Sequence, residues 1–282
     1  MIWFIATLLA ALLGSVRDGL QKLLLSDIES HELGFFSGTI GAILMTPFGY
    51  MYFPGHLTLF LGVLLVFSGF ASVIAIWMFL VALDIGEISV ITPLRRVSPV
   101  IVAVIEPFFL AASYKPGILI GAILCGLGAF ITAVKTENIT TPLKDLANTA
   151  AILAIGVALF KALGSIATVY LAREMNYLFL SFFSLLSMAI GFAAITHKKQ
   201  DNFDLRKGWN TNVGMVGLFA VLGTILITFA YSAASATQVI TVKQSTIIFS
   251  ILIGGKFFKE GNMMRKIVGS LLIIISIIFV SI

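Results

Sequence analysis

Charge is what this sequence is poorest in. Only 11% of its 282 residues are Asp, Glu, Lys or Arg, while 59% are apolar. Soluble domains carry about 25% charged residues and about 45–50% apolar ones. Eighteen basic and 13 acidic side chains cannot solvate a chain with a mean hydropathy of +1.08, so a pair of soluble domains is excluded and most of the surface must face lipid. Cysteine is nearly absent: Cys125 stands alone, which rules out an intrachain disulfide. His31, His56 and His197 have no second ligand at metal spacing, and H-E-x-x-H, Walker A and CxxC patterns are missing. No catalytic residue, metal or cofactor is therefore expected, nor ATP hydrolysis by this chain. The net charge of +5 would suit nucleic acid, but the basic residues mainly bound apolar runs instead of forming a stripe with interleaved aromatics. No nucleic-acid partner is expected. Long polar segments are lacking as well. The longest, 135–148 and 197–212, cannot hold a folded domain.

What is present is a series of apolar runs, each near the roughly 20 residues a helix needs to cross a bilayer. They fall at 2–21, 32–53, 57–82, 87–112 and 116–135, then at 149–171, 177–196, 212–233, 237–256 and 265–282. Ten spans give an all-α, polytopic membrane protein. The first run lacks the basic leader of a signal peptide and is interrupted by Arg17, so it reads as a retained helix.

The two halves resemble each other. Phe35-Phe36-Ser37 recurs as Phe182-Phe183-Ser184, displaced by 147; Val90-Ile91-Thr92 recurs as Val239-Ile240-Thr241, displaced by 149. Phe108-Phe109 recurs as Phe257-Phe258, and Gly121 pairs with Gly269. Four matches in order at nearly constant displacement indicate duplication of a five-helix unit. The repeats would occupy 1–135 and 149–282, joined by a linker at 136–148. An odd number of spans per repeat makes the second copy enter from the opposite face, so the two are inverted, as in many secondary transporters.

On these residues the sequence resembles the drug/metabolite transporter superfamily, specifically its ten-helix EamA type. The first-half segment that carries the resemblance is Ala82-Leu83, Ile91-Thr92-Pro93-Leu94, Ser98-Pro99-Val100 and Gly121. In the second half it is Tyr231-Ser232-Ala233, Ile247–Leu252, Glu260 and Gly269. The family's Gly-Glu pair after the fourth helix of each repeat is Lys259-Glu260 in the second copy and Ala111 in the first, and Pro99 faces Ile248. The resemblance implies transport of a small solute through a central cavity built by helices that include one, four, six and nine. It does not carry over a substrate.

Ionisable groups within a span cost about 2.5–3.5 kcal/mol on insertion scales and usually face a cavity or a partner. Here they are Arg17 and Asp18 in span one, Arg95, Arg96 and Glu106 in span four, Lys161 in span six and Lys243 in span nine. Lys161, Lys243 and Arg95 are candidate substrate ligands, and Asp18 and Glu106 candidate ion-coupling groups. The alternatives are a local Arg17–Asp18 pair, an interfacial Glu106, and an arginine that braces a neighbouring helix. Thr241 and Gln244 share a face of span nine, where polar groups bind substrate or bond to another helix. Trp77 and Tyr231 could supply aromatic walls. Pro93 and Pro99 lie with Pro107 in span four, marking it as a kinked, gating helix or as one bent for packing.

Five basic groups against two acids inside the spans favour an anionic or zwitterionic solute. The sequence thus points to a secondary-active exporter or exchanger of a small polar metabolite, such as an amino acid or organic anion, by alternating access. Proton-coupled efflux of cationic compounds is the alternative, or a non-transporting scaffold or lipid-handling protein. Its partners are the solute, the bilayer of the cell membrane, and protons or a counter-substrate, with the chain acting as a monomer or homodimer. Loops after odd-numbered spans hold eleven Lys and Arg, against Lys115 and Arg173 after even-numbered ones. That bias places both termini outside, whereas the resembled family has them inside.

Overall fold

A computed structural model describes residues 1–24, 27–85, 94–110, 116–133, 149–199, 210–249 and 263–281. Ten helices hold nearly all of them: α1 (Ile2–Leu24), α2 (Ser30–Met51), α3 (Leu59–Ile85), α4 (Ser98–Leu110) and α5 (Pro116–Ala133), then α6 (Thr149–Glu174), α7 (Tyr177–Lys199), α8 (Thr211–Ala233), α9 (Ala236–Lys243) and α10 (Met263–Ser281). There is no strand among the described residues. α1, α2, α3, α6, α7 and α8 are long and apolar enough to cross a membrane, while α4, α5 and α10 are shorter apolar helices. The protein is an all-helical, multi-span membrane protein. Pro93, Ala111, Val90-Ile91-Thr92, Phe257-Phe258, Lys259-Glu260 and the linker at 136–148 lie outside the described residues.

Large apolar side chains such as Leu59, Phe60, Phe108 and Ile274 point outward, while alanines such as Ala11, Ala75, Ala154, Ala158 and Ala162 dominate the interior. That inversion suits lipid as solvent. Burying a leucine from lipid gains little, so helices associate where small residues let backbones come close.

The helices form two compact units. One comprises Met1–Val73 with Ala167–Ala234, the other Ile74–Ile166 with Ser235–Ile282. Each therefore draws on both halves of the sequence. In the first, α1 packs on α8 and α2 on both α7 and α8. In the second, α5 packs on α10, and α9 packs on α4, α5 and α10.

Two pairs of equivalent spans, α2 with α7 and α5 with α10, pack on each other antiparallel. Along α2, a Cβ on Gly34 would meet Phe192, one on Gly38 Ala189, one on Gly41 Leu185 and one on Gly49 Phe182. The partner's number falls as the residue's rises, as an inverted repeat requires. α5 and α10 do the same. A Cβ on Gly121 would lie 2.9 Å from the Ser276 carbonyl oxygen, and one on Gly128 2.6 Å from that of Gly269. Adding 148 to Gly121 gives Gly269, and subtracting it from Ser276 gives Gly128. The two close approaches are thus images of each other under exchange of the repeats. A local two-fold relation runs through this interface, with small residues on both of its arms.

Candidate functional site

In the second unit, α9 lies along α4 and the two are bolted together near both ends. The sequence supplies the irregularities that shape this pair. Pro99 has no amide to donate, and the backbone around it tightens: the Val97 amide donates to the Leu94 carbonyl at 3.2 Å and the Val100 amide to the Val97 carbonyl at 3.0 Å. α9 tightens at the matching place. The Gln244 amide reaches both the Ile240 and Thr241 carbonyls, at 3.2 and 3.1 Å, and the Ile247 amide returns to the Gln244 carbonyl at 2.9 Å. There Arg96 Nη1 donates to Gln244 Oε1 at 3.1 Å. These residues are 148 apart, the displacement that relates α5 to α10, so exchange of the repeats maps this hydrogen bond onto itself. It sits on the local two-fold axis.

At the other end of the pair, Glu106 is fully buried. Its carboxylate accepts the Ala236 amide at 2.6 Å, the Thr237 amide at 2.9 Å and the Thr237 hydroxyl at 2.6 Å. These amides open α9 and have no partner within it. Ser235 takes the next one, from Gln238, completing a capping box, and Gln238 Nε2 donates to the Val280 carbonyl at 3.0 Å. The helix start is therefore capped by its own serine and by a carboxylate from the other repeat, whose charge the helix dipole favours. No part of Glu106 is exposed, and its carboxylate is held by the start of α9.

A row of small polar side chains runs along α9 and just beyond it. Thr237, Thr241 and Ser245 are spaced four apart and so share one face. The Thr241 carbonyl accepts from the Cys125 thiol at 3.8 Å. Thr241 is wholly buried and Ser245 is 3% exposed, yet neither hydroxyl has a hydrogen-bond partner among the described residues. Each such orphan costs roughly 1–3 kcal/mol until something polar meets it.

The residues singled out from sequence divide between the units. Trp77, Arg95, Pro99, Glu106, Lys161, Thr241, Lys243 and Gln244 lie in the second, Asp18 and Tyr231 in the first. Arg95 stacks over the Phe79 ring, 4.1 Å from its centroid. Lys161 and Lys243 are exposed on their helices, Trp77 is about half exposed, and Tyr231 is buried. Asp18 Oδ1 pairs with Arg17 Nη2 of the same turn at 3.3 Å, both partly exposed. Sequence reasoning placed Arg95 at the site; the hydrogen bond to span nine is made by Arg96. Thr237 and Ser245 were not among its site residues, and Cys125 was read only for its redox implications. The repeat displacement itself was the available signal, since it joins Arg96 to Gln244.

No curated protein matches the sequence. Among 29 solved chains that match, one, described only as the crystal structure of a protein, superposes with a TM-score of 0.78 at 12% identity, over 99% of this chain and 97% of its own. That likeness is one of fold. The sequence itself matches the EamA-like transporter family over residues 1–134 and again over 148–282, nearly its whole length. The chain belongs to the EamA-like transporter family.

Proposed function

We propose that this membrane transporter is a secondary-active exporter or exchanger of a small organic anion or zwitterion such as an amino acid, working by alternating access between its two repeats. The observation that carries the reading is the buried seam of Arg96, Gln244 and the two unsatisfied hydroxyls of Thr241 and Ser245. Transporters of inverted-repeat construction hold substrates where irregular helices meet, because only there does the bilayer interior offer polar groups. A carboxylate entering this seam would satisfy both hydroxyls and meet the Arg96 guanidinium. Arg95, Lys161 and Lys243 add positive potential within the same unit, whereas the buried carboxylate, Glu106, is engaged by α9. Trp77, in the same unit, serves as an aromatic wall, and Pro99 as a point of flexure. Asp18 and Glu106 are the carboxylates through which transport couples to protons, unless a counter-substrate drives it. The working form is a monomer or homodimer in the cell membrane.

Counterflow in proteoliposomes tests this. Vesicles preloaded with amino acids, organic acids or phosphorylated metabolites should accumulate the matching labelled solute, and Arg96→Gln should raise the apparent KM about tenfold, the worth of one charge-assisted hydrogen bond. Accumulation of cationic dyes alone would replace the anion reading with drug efflux. No accumulation of any class would remove the transport reading in favour of a scaffold or lipid-handling role.

A further inference from the structure

Three pairs of close contacts are images of each other under exchange of the repeats, and each joins a helix of one repeat to a helix of the other. Between α5 and α10, the approach of Gly121 to the Ser276 carbonyl maps onto that of Gly128 to Gly269. Between α2 and α7, a Cβ on Gly38 would lie 3.2 Å from the Met188 carbonyl carbon and one on Gly41 2.9 Å from Leu185. Adding 147 turns Gly41 into Met188 and Gly38 into Leu185. The contacts of Gly69 with Ser187 and of Gly217 with Ile40 correspond likewise, by 148 from Gly69 to Gly217 and by 147 from Ile40 to Ser187.

Exchange of inverted repeats is also what relates the two access states of a transporter built this way, since one repeat rocks against the other. In the second state each repeat takes the shape the other had in the first. A contact without an image must break and re-form elsewhere. A contact that coexists with its image is satisfied in both states. We infer that the α5–α10 interface is a fixed pivot of the transport cycle: its two glycine approaches persist in both access states, and the repeats rock about them. This deepens the transport reading, on which it rests, by separating the helices that carry the axis of motion from those that meet the solute. The packing fits that role. Ala122, Cys125 and Ala129 of α5 and Ile273, Ser276 and Val280 of α10 are wholly buried. Parting them would forfeit close backbone packing, which is what holds helices together in lipid.

Cys125 stands near the centre of this interface, between Gly121 and Gly128, as Leu272 does between Gly269 and Ser276. Its thiol is in side-chain hydrogen-bonding contact with Ser276, so Ser276→Cys sets two thiols within disulfide reach across the pivot. In proteoliposomes of the full-length chain, copper–phenanthroline in air should oxidise this pair to near completion, read as loss of maleimide-reactive thiol after denaturation. Counterflow of labelled amino acids, organic acids and phosphorylated metabolites should then show no loss against the reduced protein. Leu272→Cys, whose Cβ lies 3.0 Å from where a Cβ on Gly128 would stand, offers Cys125 a second partner if Ser276→Cys does not assemble. Counterflow lost on oxidation and restored by dithiothreitol overturns the pivot and leaves the transport reading intact. Failure of both pairs to cross-link overturns it too, since the helices would not stay in the contact that the pivot requires. No counterflow by the reduced protein or by the parent chain sinks the transport reading itself, and the pivot falls with it.

Discussion

A carboxylate inside a membrane helix is costly unless its oxygens are occupied, and Glu106 shows how the cost is offset. Its two oxygens accept three short hydrogen bonds, and both amides among the donors would otherwise be orphans at a buried helix start. The consequence is a graded stability series. Glu106→Ala strands the Ala236 and Thr237 amides and should cost roughly 2–5 kcal/mol, the sum of two unsatisfied buried donors. Glu106→Gln keeps an acceptor oxygen and should cost less, and Thr237→Val, losing a single bond, about 1 kcal/mol. Thermal unfolding of the detergent-solubilised protein, followed by the monodisperse fraction on size exclusion, should rank them in that order. Equal losses in all three would mean that the carboxylate is not the cap of α9. Asp18 is a contrasting case. Paired to its neighbour Arg17 and 52% exposed, it should tolerate Asp18→Asn with under about 1 kcal/mol lost, as exposed ion pairs do.

Between residues and the whole, the elements associate through glycine. Gly128 and Gly269 each present a backbone carbonyl to the other, and a Cβ on either would lie 2.6 Å from the partner's oxygen. Backbone cannot yield as a side chain does, so Gly128→Ala and Gly269→Ala should each cost about 1–3 kcal/mol by overpacking. Gly223→Ala is the control. It lies within α8 with nothing near its missing Cβ, and alanine there should be neutral or stabilising by about 0.5–1 kcal/mol through helix propensity alone. If all three variants melted together with the parent, the close approach of α5 and α10 would be wrong. Much of this architecture was legible in the sequence. Hydropathy marks where a chain can cross a bilayer, and the ordered matches, Gly121 with Gly269 among them, announced the duplication. What could not be read was rotation about each helix axis. A span that is apolar on every side gives no stripe to say which face looks inward, so Arg95 and Arg96 were indistinguishable until α4 was seen against α9. What Glu106 holds was hidden for a related reason: depth along a span is visible in sequence, but a partner 130 residues away is not.

For the molecule as a whole, the open variable is its orientation in the membrane, and the distribution of charge decides it. Four basic residues, Lys198, Lys199, Arg206 and Lys207, follow α7, and Lys256, Lys259, Arg265 and Lys266 precede or open α10. Loops after even-numbered spans carry only Lys115 and Arg173. The positive-inside rule puts the odd-numbered loops in the cytoplasm. α4 then runs outward from the loop after α3, so Glu106, eight residues past Ser98, lies nearer the outer face than Arg96. Alkaline phosphatase fused after Ile282 should accordingly be active and green fluorescent protein in its place dark, since one requires export and the other the cytoplasm. Neutralising the four basic residues after α7 should weaken that preference. The reverse pattern, a fluorescent and phosphatase-negative terminus, would match the orientation of the resembled family. It would also place the Glu106 cap of α9 on the cytoplasmic side of the Arg96–Gln244 bond.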